Sequence, residues 1–292
     1  MLRTLILALA LAAAPGHVVS QQKLRVVTTS ADLKSLVEAV GGTRVDVESL
    51  AAPEQDPHAI EVKPAQLARA RNAALLIRVG LDHEPWLAKL RLPAGVVVVD
   101  ASQGARLIQT ETPRLRVERR AHVHAFGNTH YWLDPTNAVP ITTAIRDALA
   151  KLSPEDARAF DANRSAFIDT LAKKVEDWKN SLAPFRGTKV VVIHDSWSYF
   201  AERFGLQMVA VAEPNPGVPP SPAELAALFQ RMRAAGVKIL IADPHSNPSL
   251  VRQIATEGGA RAVTLFPSGH DYIRLFDENV SRLVDALKRA KP

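Results

Sequence analysis

The sequence contains no cysteine in 292 residues. That excludes disulfides, thiolate metal sites and a lipid carried on a cysteine at a leader cleavage site. Aromatic residues are sparse, at 5%, and no run of Lys and Arg interleaves with them. The formal charge of +6 therefore reads as a solvated basic surface, and no nucleic-acid partner is expected. Beyond the amino-terminal segment, no apolar stretch is long enough to span a bilayer. No HExxH and no close histidine pair on a helix occurs. Any metal site must be assembled from scattered parts.

What is present begins with a leader. MLRTLILALALAAAPGHVVS carries Arg3, an apolar run from Leu5 to Ala14, and small residues ahead of a cut after Ser20. Residues 1–20 read as a secretory signal peptide. The mature chain is expected in the periplasm, soluble and without a lipid. A hydrophobic fraction of 47% suits a sizeable core.

Strand and helix signals then alternate. Strand candidates are Leu24–Thr29, Val45–Leu50, Ala74–Val79 and Gly95–Asp100. They recur as Lys189–Ile193, Gln207–Ala212, Val237–Ala242 and Arg261–Phe266. Short β-branched runs separated by helices predict α/β architecture with mostly parallel sheets covered on both faces. Two lobes are expected, at 21–150 and 186–292. Between them, residues 151–185 read as one connecting helix. Ser153 with Asp156 looks like a capping box, and Phe160, Phe167, Leu171, Val175, Trp178 and Leu182 recur at helical spacing. Some 30 residues at 1.5 Å each is roughly 45 Å. A stiff connector of that length predicts limited hinge motion.

Of the nine histidines, three stand at ends of structural elements. His58 lies in a loop after the second strand. His130 precedes a helix opening near Pro135. His194 ends the strand KVVVIH. In open α/β sheets, ligands bind outside the carboxyl ends of the strands. His58 and His194, from opposite lobes, therefore place a site in the cleft. Any one of them, taken alone, is as ordinary as a surface or satisfied core histidine. His122 and His124 form an H-x-H in a polar stretch, either a solvated loop or an auxiliary metal-collecting group. His83, His245 and His270 carry weak signals, and His83→Ala and His245→Ala are expected to be nearly silent.

Several segments occur together and in order: DPHAIEVKP at 56–64, HYWLDP at 130–135, HDSWSYFAERFGL at 194–206, EPNPGVPPSPAEL at 213–225 and DYIRLFDENV at 271–280. With the long helix, they resemble the periplasmic substrate-binding proteins of zinc and manganese ABC transporters. The resemblance spans essentially the whole mature chain. It implies two lobes joined by a rigid helix, with the metal in the cleft between them. It implies that His58, His130 and His194 are the first three ligands. A histidine at the third position looks like the zinc type, where manganese-type members tend to have glutamate. Imidazole suits zinc, and oxygen ligands suit manganese. The family's fourth ligand is an aspartate after the last strand. Here that loop is shortened to FPSGHDYIRLF. Asp271 is the carboxylate available, with His270 or water as alternatives.

The function implied is capture of Zn²⁺ by a monomeric, non-catalytic protein that delivers it to an ABC transporter membrane permease. A periplasmic metallochaperone is a candidate further partner. The alternatives are manganese or iron in the same role, and a zinc hydrolase with an open water position and Glu61 or Glu213 as base.

Overall fold

The computed structural model describes residues 22–56, 58, 60–108, 127–213 and 218–290. The leader, with His17, and the pair His122 and His124 lie outside the described residues. In chain order the first elements are β1 (Leu24–Thr28), α1 (Ala31–Gly41), β2 (Val45–Ser49), α2 (Pro64–Arg71), β3 (Leu75–Arg78) and β4 (Val97–Asp100). Two helices follow, α3 (Ala138–Leu152) and α4 (Ala157–Leu182). The remainder is β5 (Lys189–Val192), α5 (Ser198–Phe204), β6 (Gln207–Val211), α6 (Pro222–Ala235), β7 (Ile239–Ala242), α7 (Pro248–Gly258), β8 (Arg261–Thr264) and α8 (Tyr272–Ala290).

Each lobe holds one four-stranded sheet, and every pairing is parallel. The orders are β2-β1-β3-β4 and β6-β5-β7-β8, the same arrangement twice. The β-branched runs are legible as strands because both faces are covered. Val26 faces one apolar cluster and its neighbour Val27 another. Val190 and Val192 likewise oppose Val191. In this strand order the chain leaves the sheet in opposite directions from β1 and β3, and again from β5 and β7. Crevices at such points, beyond the strand ends, are where open α/β sheets place ligands.

The connector α4 has 26 residues, about 39 Å at helical rise. It is not a bare strut. It packs on α1 and α3 on one side and on α8 on the other. Trp178 stacks on Phe276 of α8 with ring centroids 4.9 Å apart. A single apolar cluster runs through Val26 and Leu36, past Phe160 and Trp178, to Val190, Ile239 and Phe276.

The expected capping box at Ser153 does not form. The Ser153 hydroxyl donates to the Asp156 carboxylate at 2.9 Å, and no side chain caps the backbone there. Pro154 suits a tight turn, so residues Pro154–Asp156 form a 3-10 turn before α4 begins. No described helix is long and apolar enough to cross a membrane.

Candidate metal centre

Three histidines from three loops converge. One ring nitrogen from each of His58, His130 and His194 lies within 4.8 Å of the others, the group among the described residues that meets this closeness. The ring centroids are 5.4 Å apart for His58 and His130, 5.8 Å for His58 and His194, and 5.4 Å for His130 and His194. A metal roughly 2.0–2.1 Å from each imidazole nitrogen, at tetrahedral angles, puts ring centroids about 5 Å apart. The donor set thus has the spacing of a tetrahedral site with one corner left for another ligand.

The rings of His58 and His130 are aimed by their surroundings. His58 Nδ1 lies 3.1 Å from the His83 carbonyl oxygen. A carbonyl only accepts, so Nδ1 carries the proton and Nε2 is left as the lone pair for coordination. His130 Nδ1 lies 3.1 Å from Asn128 Oδ1, which also accepts from the His130 backbone N–H at 2.9 Å. The Asn128 amide is oriented by its other end, which donates to the Asp195 carbonyl at 2.8 Å. Asn128 therefore links the segments that carry His130 and His194. Arg203 strengthens the same link with a two-pronged contact to Asp134, at 2.7 and 2.6 Å.

A buried carboxylate serves each lobe at its crevice. In the first, Glu84 follows β3 and accepts from Thr29, which follows β1. In the second, Asp243 follows β7 and accepts from Trp197 Nε1 at 2.6 Å and the Ser196 hydroxyl at 3.2 Å, both just past β5. Burial raises the pKa of Glu84, and its hydrogen-bond donors oppose the shift. Burial likewise raises Asp243, against the nearby His245 and its two donors.

The three rings open into a cavity of about 480 Å³, also lined by Asp32, Asp56, Glu213, His245 and Ser268. Its described lining contains three carboxylates and no Lys or Arg, although the chain as a whole is basic. Such a lining favours cations over anions. Glu213 is half-buried, and burial raises its pKa while His245 opposes. Glu61 is exposed and does not line the cavity.

Asp271 is placed elsewhere. Its Oδ1 accepts from the Arg274 backbone N–H at 2.8 Å, and its carbonyl accepts from Leu275 at 2.9 Å. It is the exposed N-cap of α8, the competing role for which Asp is well suited. Neither Asp271 nor His270 belongs to the histidine group or lines the cavity. Asp271, expected as the fourth ligand, thus lies apart from the three histidines.

The carboxylate that does reach the loop after β8 is Asp32 of α1. It accepts from the Ser268 hydroxyl at 2.7 Å and from the Gly269 N–H at 3.2 Å. Burial pushes its carboxyl up to about 7, against these donors.

His83 is also not where a silent residue belongs. It is fully buried, with its ring centroid 4.3 Å from that of His58 and 5.4 Å from that of His130. Nothing at the sequence level marks it. Asn128 had one signal, the spacing N-x-H, because a side-chain oxygen bonding the backbone two residues on is an Asx turn.

A family model described as "Zinc-uptake complex component A periplasmic" (ZnuA) matches residues 26–286. "Zinc-binding protein AdcA" of Streptococcus pyogenes serotype M6 is 23% identical over 91% of this chain, which spans 56% of that protein's length. A crystal structure of ZnuA superposes with a TM-score of 0.80 at 26% identity, covering 91% of this chain and 99% of that one. A zinc-bound deletion mutant of ZnuA gives a TM-score of 0.79 at 27% identity, covering 91% and 98%.

Proposed function

The chain belongs to the family of the periplasmic component A of zinc-uptake complexes, and from that premise we propose that it captures Zn²⁺ and delivers it to the membrane permease of an ABC transporter. The observation that carries this reading is the close approach of three imidazole nitrogens, within 4.8 Å. Zinc takes nitrogen donors in tetrahedral geometry, whereas manganese prefers oxygen-rich octahedral shells. No carboxylate belongs to the group, so His58, His130 and His194 hold the ion and a water or other small ligand completes the shell.

In this reading the protein works as a monomer in the periplasm. Action without a lipid anchor is part of the same reading, supported by the lack of cysteine in these 292 residues. The first lobe is residues 21–150, the connector 151–185 and the second lobe 186–292. Binding, not turnover, is its task. The ion is the cargo, and the site orients it without acting on another molecule.

Metal analysis of untagged protein purified without added metal, followed by competition with a chelating dye, tests the proposal. One equivalent of zinc per chain, held more tightly than manganese, is expected. Manganese held more tightly than zinc would overturn the choice of cargo. Ester or phosphate-ester hydrolysis by the zinc-loaded protein would instead make the protein an enzyme.

A further inference from the structure

His58 sits in a loop with no regular structure of its own. Its backbone N–H is held locally, by Asp56 Oδ1 at 2.9 Å. Its ring is held from elsewhere, by the turn that follows β3. That turn is unusual in its backbone. Gly80, Leu81 and Asp82 have φ of 83°, 55° and 58°. Two consecutive non-glycine residues in the left-handed region are disfavoured, because Cβ crowds the following carbonyl oxygen. Such strain persists only where the surroundings over-determine it, and it gathers at functional sites.

The surroundings here are specific. The Glu84 carboxylate reaches back across the turn and accepts from the Val79 N–H at 2.6 Å and the Gly80 N–H at 3.1 Å. It also accepts from the Thr29 hydroxyl. The His83 N–H closes the turn on the Gly80 carbonyl at 2.9 Å. Glycine is required at 80, since a Cβ there would meet the Asp100 carboxylate at 2.1 Å. From the far side, the Tyr131 hydroxyl donates to the Val79 carbonyl at 2.8 Å, and Thr129 Oγ1 lies 2.9 Å from His83 Nδ1. The turn therefore touches both neighbours of His130 as well as His58. Its product is one carbonyl, that of His83, pointed at His58 Nδ1, and one ring packed against His58.

We propose that Glu84 is a positioning residue for metal capture: by holding the left-handed turn Gly80–Asp82 it fixes the His83 carbonyl and ring, and through them the orientation and tautomer of His58. The inference rests on the zinc-capture reading. Its chemistry is that of an outer-shell partner, whose loss typically weakens metal binding by about 10–100-fold. Glu84 acts one step further out, through a backbone it holds in place.

The test pairs two variants with a His58→Ala background. Glu84→Gln turns an amide against the Val79 and Gly80 donors. Thr29→Val removes one donor to Glu84 and leaves its charge. Zinc affinity, measured by chelator competition, is expected to fall about 10–100-fold in Glu84→Gln, and by a smaller factor in Thr29→Val. Both losses should vanish when His58 is already alanine, because coupled residues are non-additive where independent ones add. A general loss of packing would persist in that background and would overturn the proposal, as would wild-type affinity in Glu84→Gln.

Should Glu84→Gln fail to fold, Thr29→Val decides by the same cycle. Long-range ¹H–¹⁵N spectra of the metal-free protein supply a readout that needs no zinc. His58 is expected to carry its proton on Nδ1 in the wild type and to populate both tautomers in the variants. Absence of zinc binding in the wild type would remove the functional reading and leave this second readout standing.

Discussion

The Ser268 hydroxyl donates to the Asp32 carboxylate at 2.7 Å across 236 residues of chain. Asp32 opens α1 in the first lobe, and Ser268 follows β8 in the second. Burial pushes the Asp32 carboxyl from 3.8 to about 7. Between those values the folded protein keeps a proton that the unfolded chain has lost. Protonation there favours the folded state, and the contribution falls as pH rises from 3.8 through about 7. Asn mimics the protonated acid: its Oδ1 can accept from the Gly269 N–H while its amide donates to the Ser268 oxygen, the reverse of the bond to the carboxylate. In metal-free protein the melting-point advantage of Asp32→Asn over wild type should widen from pH 5 to pH 8, by at least about 3 °C. An advantage that shrinks from pH 5 to pH 8 would show that the charged carboxylate is the stabilising form.

Alanine at His58, His130 or His194 removes one coordinating bond. Each should weaken zinc binding by well over tenfold, more than the loss of an outer-shell partner. His245→Ala should stay within about threefold, since His245 lines the cavity but lies outside the group of three imidazoles. His83→Ala, which the sequence alone leaves silent, should now weaken binding, because its ring packs against His58 and His130. Dye competition on all five proteins checks the order. Wild-type affinity in any of the first three removes that residue from the site.

Asp271→Ala removes a helix cap. A cost of about 1 kcal/mol is typical, which lowers the melting temperature by roughly 2–4 °C in a chain of this size. Zinc affinity should be unchanged. A tenfold weaker affinity with an unaltered melting point would return Asp271 to the metal.

Small-angle scattering of metal-free and zinc-loaded protein should superimpose. The lobes are held by α4, packed on α1 and α8, and by bonds from Trp132 to the Pro267 carbonyl and from the Tyr272 N–H to Ser35, at 2.8 and 2.9 Å. A change of overall shape on loading would mean these contacts break in the working cycle.

The parts legible in the sequence are those encoded locally. Ser221 with Glu224, and Gly236, bound α6 at Pro222–Ala235 by a capping box and a left-handed C-cap. The runs KVVVI and ILIA read as buried strands because apolar residues line both faces. His58, His130 and His194 stood out by lying at element ends. What stayed hidden depends on partners distant in the chain. Asp32 meets Ser268, Glu84 meets Thr29, and Arg203 meets Asp134 only once the chain is folded. Asp271 could be placed only with the helix it caps, because its bond to the Arg274 N–H exists once α8 is formed.

The shared apolar cluster bears on how the molecule comes apart. Its members include Val26 and Leu75 from one sheet and Val190 and Ile239 from the other, joined through Phe160, Trp178 and Phe276. Exposing the inner face of either lobe strips partners from the other, so neither half has a complete interior to fall back on. The two sheets, alike in strand order, are therefore expected to unfold as one cooperative unit, with a single calorimetric transition in place of the two that independent domains give.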